Sequence, residues 1–428
     1  SGGNNLITAL RKVEVSDSCY NTVIQKANDW LKEKTVFENI YAKHQVVMVQ
    51  YAKEYNLSLV NNSPVLNNEF YKNFQQSKIN IKNQWASHPT REDRETHLEG
   101  LHIEGVTDNR PAWMLFSHSQ ELQKEVTASL YKTVPAEMQQ QSINDEIFRE
   151  RYLADTDIYH LPAEYNGYYD NRLMNDMDIE KLFGTPENAV VSKYEFEKLF
   201  SEDKTGLLKS VQANQQDAKI LEAIIDNRID IKTFDYDGEK MKKDAAAGIL
   251  EKLKMEIEQQ QQQVQQQEER IVSFFCAAAR LNGSADEQAL KNIYLLYTEN
   301  KKGVDEHTAI CHRIVDLLSP LLAGQTITLQ AAADMASGLR KESNNLRPLL
   351  INWIEKAVFD HNTALKEKAM KFSGVNYQYF ASDSFFDNEL KHLNELVNES
   401  MHDLTIFQFR NFKKILEYQL EEYHKQVK

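Results

Sequence analysis

Apolar residues recur at helical spacing along most of the chain. In "NLITALRKV", Leu6, Ile7, Leu10 and Val13 fall on one stripe, which is the pattern of an amphipathic helix. Similar spacing continues through residues 27–55, 112–134 and from about 190 to the C-terminus. We therefore predict an all-α protein built from helical bundles, with little or no sheet. One short strand or turn is expected at "DIKTFDYDGEK", residues 230–240.

The glutamine-rich tract "EIEQQQQQVQQQEER" carries a seven-residue repeat. Two rows of positions, offset by three residues, form a heptad seam: Leu250, Ile257, Val264, Ile271 and Ala278 in one, and Leu253, Gln260, Gln267, Phe274 and Leu281 in the other. A seam of this kind predicts one long helix over residues 239–282, about 65 Å in length, with both seam glutamines facing other helices. A flexible glutamine linker is the alternative.

Changes in this pattern divide the chain into three parts. Residues 1–132 and 191–428 are helical in pattern, whereas residues 133–190 are irregular, aromatic and polar. Pro162, Gly167 and Pro186 interrupt this middle part, and such residues are typical of loops. We predict an ordered connection packed on the surface, which marks the domain boundary.

Composition narrows the class of protein. The chain has 428 residues, of which only 14 are glycine and 8 proline, and scarce helix breakers agree with a helical fold. A net charge of −14 argues against nucleic-acid binding and against attraction to an anionic membrane surface. No apolar run is long enough to span a bilayer. Three widely spaced cysteines indicate no disulfide framework and favour a reducing compartment.

Familiar catalytic and metal-binding signatures are missing from the sequence. There is no Gly-rich phosphate loop, no G-x-S-x-G turn and no H-E-x-x-H, because none of the 12 histidines precedes a glutamate. His97 and His102 are five residues apart, and this spacing places them on different faces of a helix. Residues 233–244, "TFDYDGEKMKKD", resemble an EF-hand loop only in part, so a turn is the favoured interpretation.

His307 and Cys311 share a helical face at a spacing of four residues. A His/Cys metal pair is one interpretation, and a buried helix cysteine is the favoured one, because no second pair lies nearby. We predict no metal-ligating or cofactor-binding residues within this chain.

The segment "WASHPTREDRETHL" has a distinct local pattern. Pro89 restricts His88 to extended conformations, and the pair Thr90 and Asp93 resembles a capping box, so a helix should begin at Arg91. Arg94 then lies in the first turn, at the positive end of the helix dipole. An arginine at that end needs a nearby carboxylate or an anionic ligand, and from the chemistry alone a local pair with an acid such as Asp155 or Glu99 is the favoured interpretation.

This segment resembles a known family. "SHPTREDR" is similar to the "SHP-[PS]-T-x-x-R" segment of the HtpX and CAAX prenyl endopeptidase family of zinc metallopeptidases. "NNLITALRKVE" resembles the helix that follows the third zinc ligand in that family. "PAWMLFSHSQELQKEVTASLY" resembles a later segment of large bacterial members with long C-terminal extensions. The resemblance covers residues 4–132 and no part of residues 190–428.

The resemblance implies that the chain is the C-terminal part of such a peptidase. The zinc ligands and the general-base glutamate would lie in a missing N-terminal catalytic part, so this fragment alone would be inactive and bind no cofactor. His88 and Arg94 match the family's histidine and arginine near the metal, and would help to bind substrate or the oxyanion. Glu95 departs from the family pattern, which usually has an apolar residue there.

For the complete protein, the resemblance implies zinc-dependent hydrolysis of protein or peptide substrates and a membrane anchor. We expect the present region to be soluble and cytoplasmic, to bind no nucleic acid and to contain no membrane-spanning segment. A non-enzymatic helical scaffold or adaptor is the alternative function. A third interpretation assigns partner binding, or restriction of substrate entry, to residues 190–428.

Overall fold

A computed structural model describes most of the chain: residues 2–55, 57–66, 70, 77–80, 91–103, 105–106, 110–184 and 190–427. Helices dominate these residues, which confirms the all-α prediction. They are α1 (Gly3–Lys32), α2 (Ile40–Glu54), α3 (Arg91–Gly100), α4 (Ser119–Leu130), α5 (Asp145–Asp157), α6 (Ile179–Gly184), α7 (Lys193–Leu199), α8 (Glu202–Ile225), α9 (Ala246–Asn282), α10 (Ser284–Leu322), α11 (Leu329–Glu355), α12 (Thr363–Gly374) and α13 (Asp387–Gln426). No helix in this described part combines the length and the apolar character needed to cross a bilayer.

The strands of the described residues are short. They are β1 (Thr35–Phe37), β2 (Leu59–Val60), β3 (Ser63–Pro64), β4 (Ile79–Asn80), β5 (Gln141–Ile143), β6 (Thr233–Tyr236), β7 (Glu239–Lys242), β8 (Phe380–Ala381) and β9 (Ser384–Phe385). β1 pairs in parallel with β5, and β2–β3 and β8–β9 are antiparallel pairs. β4, β6 and β7 form an antiparallel sheet in that order.

Two compact units share the chain, and each is discontinuous in sequence. The first unit contains Ser1–Asp157 and Lys209–Gln260, and the second contains Ile158–Leu208 and Gln261–Lys428. The unit boundaries at Leu208 and Gln260 fall within α8 and α9. The division at residues 132 and 190 drew on sequence pattern, and it stays a prediction.

The first unit has two apolar centres. In one, aromatic rings join α1, β1 and α5: the Trp30 and Phe37 ring centroids are 5.3 Å apart, and those of Phe37 and Phe148 are 5.2 Å apart. The other lies between the β4–β6–β7 sheet and the parts of α8 and α9 that belong to this unit, around Phe234 and Leu221. Aromatic and aliphatic burial at these centres stabilises the unit.

The second unit is a helical bundle. α10, α11, α12 and α13 enclose an apolar core in which Trp353, Leu346 and Leu404 are fully buried. Gly303 in α10 lies against the Trp353 indole, because a Cβ there would come within 2.9 Å of the ring. The close approach of α10 and α11 therefore depends on the missing side chain.

The long helix predicted from the heptad seam is present as α9, but it begins at Ala246 rather than at residue 239. Its 37 residues make it about 55 Å long. Residues 239–242 instead form β7, the second strand of a hairpin with β6. This hairpin confirms the short strand predicted at residues 230–240 and excludes an EF-hand loop at residues 233–244.

Both seam glutamines face other helices, as predicted. Gln260 donates to Ser210 Oγ at 3.1 Å and accepts from Asn214 Nδ2 at 3.0 Å, both on α8. Gln267 donates to the carbonyl of Leu199, at the end of α7, at 2.8 Å. Leu281, at the end of the seam, is 63% exposed, so the packed seam stops before it.

We predicted that the irregular connection, residues 133–190, is packed on the surface. This prediction is wrong for its tyrosines. Tyr165, Tyr168 and Tyr169 are each 1% exposed and lie in the interior of the second unit. The Tyr165 hydroxyl donates to the carbonyl of Leu416 at 2.7 Å. These rings are buried because α7, α9 and α13 supply aromatic partners for them. Phe200, directly after α7, adds another, with its ring centroid 4.9 Å from that of Tyr165.

Candidate functional site

The helix predicted after the SHP segment begins at Arg91, as expected, and ends at Gly100. Arg94 is half-buried in its first turn. His88, the other predicted catalytic residue, lies outside the described residues, together with Pro89 and Thr90. The described part of the predicted site is therefore Arg94 and the helix that carries it.

A bidentate ion pair joins α1 to α3. Nε of Arg11 donates to Oε1 of Glu95 at 2.9 Å, and Nη2 donates to Oε2 at 2.6 Å. The two side chains are only 11% and 15% exposed. A fork-to-fork pair has a fixed geometry, so it sets the rotation of α3 against α1. The residue that departs from the family pattern thus has a specific partner.

The segment after α3 is held against the first turn of α1. Gly3 N donates to the carbonyl of Ile103 at 2.8 Å, and Asn5 Nδ2 donates to the carbonyl of Val106 at 3.0 Å. A Cβ on Gly3 would lie 2.8 Å from the carbonyl oxygen of Leu98. Only glycine permits this approach, and the contacts fix the C-terminal end of α3 relative to α1.

Two groups of exposed apolar residues occur in the first unit. The first, which we call the α1 stripe, contains Leu6 and Val13, 49% and 65% exposed, with the exposed Ala9 between them. The second, the apolar turn, contains Met114, Leu115 and Phe116, 67%, 84% and 51% exposed. Single exposed apolar residues are ordinary, but such groups mark interaction surfaces.

His97 and His102 form no metal pair in the structure. His97 is exposed in the last turn of α3, and His102 follows the helix with a φ of 49°. Among the described residues, no group of three or more histidine, cysteine, aspartate or glutamate side chains is arranged to hold a metal ion.

His307 and Cys311 are both fully buried between α10 and α13. His307 Nε2 lies 2.9 Å from Ser400 Oγ. Burial lowers the pKa of His307 to about 4 and raises the pKa of Cys311 to about 12. The prediction of a buried helix cysteine is confirmed, and both groups are neutral near pH 7.

A buried ion pair in the second unit was not predicted from the sequence. Glu268, beside the heptad seam on α9, is fully buried and forms an ion pair with Arg172. Its Oε2 also accepts from the backbone N–H of Asn175 at 2.7 Å. Burial raises the pKa of the Glu268 carboxyl, and Arg172 partly opposes this shift. The pair fastens the irregular connection to α9.

Tyrosines surround this ion pair. Arg172 lies 5.4 Å from the ring centre of Tyr168 and 5.8 Å from that of Tyr169. The hydroxyls of Tyr169 and Tyr297 are buried and have no hydrogen-bond partner among the described residues. One signal of this pair is present in the sequence: in "YYDNR", Arg172 follows closely after the adjacent tyrosines Tyr168 and Tyr169.

The Arg172–Glu268 pair and the region around α3 differ in what they can do. The Glu268 carboxylate is fully buried and its charge is balanced by Arg172, so the pair stabilises the fold rather than meeting a reactant. Arg94 is half-buried in the first turn of α3, and α1, which packs against α3, carries the exposed α1 stripe. No family model, curated protein or solved structure matches the chain.

Proposed function

We propose that this chain is the C-terminal, non-catalytic region of a zinc metallopeptidase of the HtpX and CAAX prenyl endopeptidase type. In this proposal the complete, membrane-anchored protein hydrolyses peptide bonds in protein or peptide substrates. The zinc ligands and the general base belong to an upstream catalytic part. The present region contributes His88 and Arg94 to the active-site rim, and a helical extension that binds substrate or a partner.

The observation that carries the proposal is the packing of α1 against α3. α1 resembles the helix that follows the third zinc ligand, and α3 follows the SHP segment. A buried, bidentate pair joins these two helices across 84 residues of sequence. Segments that the resemblance assigns to one active site are therefore packed together, and this packing supports a common origin for both similarities.

The exposed apolar surfaces give independent support. The α1 stripe has the spacing of a packed helix face, with Leu6, Ala9 and Val13 exposed on one side. Helix faces of this kind are normally covered by another element. An upstream catalytic part, docked against the α1 stripe and the apolar turn, would cover them.

The role of Arg94 follows from its place in the first turn of α3. A cationic donor held by a helix is preorganised, and such donors stabilise the oxyanion that develops when a peptide carbonyl is attacked. His88 would supply a second donor, because Pro89 limits its backbone to extended conformations. The Arg11–Glu95 pair would orient both indirectly, by fixing α3.

The experiment compares His88→Ala and Arg94→Ala in the complete protein. Loss of one oxyanion donor lowers kcat by about 10² to 10³, so we expect this loss in each variant with unchanged zinc content. His97→Ala, which removes an exposed side chain from the same helix, is the matched control. If kcat per folded molecule is unchanged while the melting temperature falls, His88 and Arg94 have a structural role and no catalytic one.

The reading frame upstream of this chain separates the peptidase from a helical scaffold or adaptor. An H-E-x-x-H sequence followed by a second helix with a glutamate ligand is expected directly before residue 4. Its absence from the complete protein, together with no peptidase activity, would favour the scaffold.

A further inference from the structure

A shallow groove lies on the first unit between the end of α8 and the first half of α9. Its lining comes from one residue of α8 and one face of α9: Ile225, Ala247, Leu250, Glu251, Lys254, Met255 and Glu258. The groove is separate from α3 and takes none of the residues assigned to the peptidase.

The floor of the groove is apolar and accessible. Met255 is 60% exposed and Ile225 is 38% exposed, and the half-buried Leu250 continues the floor into the heptad seam. Methionine is flexible and polarisable, so it adapts to differently shaped apolar side chains. A bulky apolar group placed here would be removed from water at little cost to the groove itself.

The rim of the groove is acidic. Glu251 and Glu258 are exposed and lie two turns apart on α9, about 10 Å along the helix. Neither forms an ion pair with a basic side chain of the described residues. Lys254, between them, pairs with Glu222 at 2.8 Å, so its charge is offset. An apolar floor therefore lies between two uncompensated carboxylates.

We propose that this groove binds a cationic amphipathic helix of a protein partner. A bulky apolar side chain of that helix contacts Met255 and Ile225, and basic side chains one or two turns away pair with Glu251 and Glu258. Helices bind grooves through apolar anchors spaced by whole turns, and opposite charge at the rim orients the ligand and speeds association. The inference does not depend on the peptidase activity.

Two synthetic 15-residue peptides test the groove with the full chain. Both carry leucine along one helical face, and the polar face is lysine in one and glutamate in the other. Fluorescence anisotropy should detect binding of the lysine peptide and none of the glutamate peptide. Glu251→Lys/Glu258→Lys should weaken the lysine peptide about tenfold, the scale of two exposed ion pairs, and should allow the glutamate peptide to bind. Met255→Ser should weaken both interactions.

The control makes the same charge change elsewhere on the first unit. Glu146 and Glu150 are exposed on α5 and line no part of the groove, so Glu146→Lys/Glu150→Lys should bind the lysine peptide as the unaltered chain does. Equal weakening by the control would overturn the proposal, because the overall charge of −14 would then explain binding. Equal affinity for a scrambled, non-amphipathic peptide, or no binding of the lysine peptide at low salt, would also overturn it. Circular dichroism of each variant verifies that it is folded.

Discussion

Replacing Arg172 should leave the buried carboxylate of Glu268 without its cationic partner. Arg172 is the ion-pair partner of Glu268, which has no exposed side-chain surface. Arg172→Met keeps much of the aliphatic volume but removes the charge. Glu268 then keeps its hydrogen bond from the backbone N–H of Asn175 and loses the cation that balances it.

The size of the effect follows from burial. Breaking a buried pair by removing one partner costs about 3 to 5 kcal/mol, because the remaining charge is left without compensation. At pH 8 we expect Arg172→Met to lower the opening free energy of the second unit by this amount. The double variant Arg172→Met/Glu268→Gln should recover most of the loss. Glutamine is neutral, and its carbonyl can still accept from the Asn175 N–H.

The loss should also depend on pH. Burial already raises the pKa of Glu268 above its unfolded value, and removal of Arg172 raises this pKa further. A group of this kind contributes fully below its unfolded pKa, and its contribution is lost as pH rises through the folded pKa. The deficit of Arg172→Met should therefore be small near pH 4.5 and reach its full size at pH 8, whereas the double variant should show no such trend.

Hydrogen exchange is the suitable assay, because two compact units make a single unfolding free energy ill defined. Peptides from residues 261–282 report on the second unit, and peptides from residues 15–30 serve as an internal reference in the first. Equal destabilisation of the single and double variants would contradict a buried-charge effect. A deficit independent of pH would contradict it as well.

Three further predictions concern other sites in the two units. Burial lowers the pKa of His307 to about 4, so as the pH falls the unfolded chain takes up this proton before the folded chain does. Between pH 6.5 and 5 the second unit should therefore lose about 2 kcal/mol of opening free energy, and hydrogen exchange should show that His307→Gln removes this loss. Gly303→Ala should lower the opening free energy of the second unit by about 1 to 3 kcal/mol through contact with Trp353. Gly248→Ala, which meets open space in the first unit, should raise the opening free energy of that unit slightly. Hydrogen exchange of each unit checks both expectations. Gln267→Leu should lower the opening free energy of the second unit by about 1 to 3 kcal/mol, because the backbone carbonyl of Leu199 loses its donor. Slower hydrogen exchange in residues 261–282 of this variant would contradict the expectation.

Features that depend on neighbouring residues in the chain could be predicted from local signals in the sequence. The start of α3 at Arg91 was predicted from the local sequence, in which Thr90 and Asp93 resemble a capping box. The C-terminal end of α9 coincides with Gly283, whose φ of 148° suits glycine alone. The heptad seam identified Gln260 and Gln267 as helix-facing, because side-chain direction repeats every seven residues.

The remainder depends on partners far away in sequence. The start of α9 was misplaced because residues 239–242 pair with β6, which itself pairs with β4 at Ile79. Asp237 and Gly238, with φ of 52° and 81°, form the tight hairpin turn, and "DG" is a known hairpin signal. The buried tyrosines of the connection had no periodic pattern, because their partners lie on several different helices.

The candidate site, like the fold, could be predicted from the sequence only in part. The position of Arg94 in the first turn of α3 followed from the sequence, whereas the partner of Glu95 did not. Arg11 is 84 residues from Glu95, and no local rule couples them. The Arg172–Glu268 pair was hidden for the same reason, since the two residues come from an irregular segment and from a glutamine-rich helix.

The interleaving of the two units constrains the order of folding during synthesis. The first unit needs residues 209–260 to complete its β4–β6–β7 sheet, so its core stays unfinished until about 100 residues after Asp157 have been made. Residues 158–208 must in turn wait for α13, whose Leu416 accepts from Tyr165 across 251 residues. At about 5 to 20 residues per second, aromatic surface remains exposed on the ribosome for many seconds. Slow codons or a chaperone acting on residues 158–208 would therefore affect yield more than the same intervention within α10 or α11.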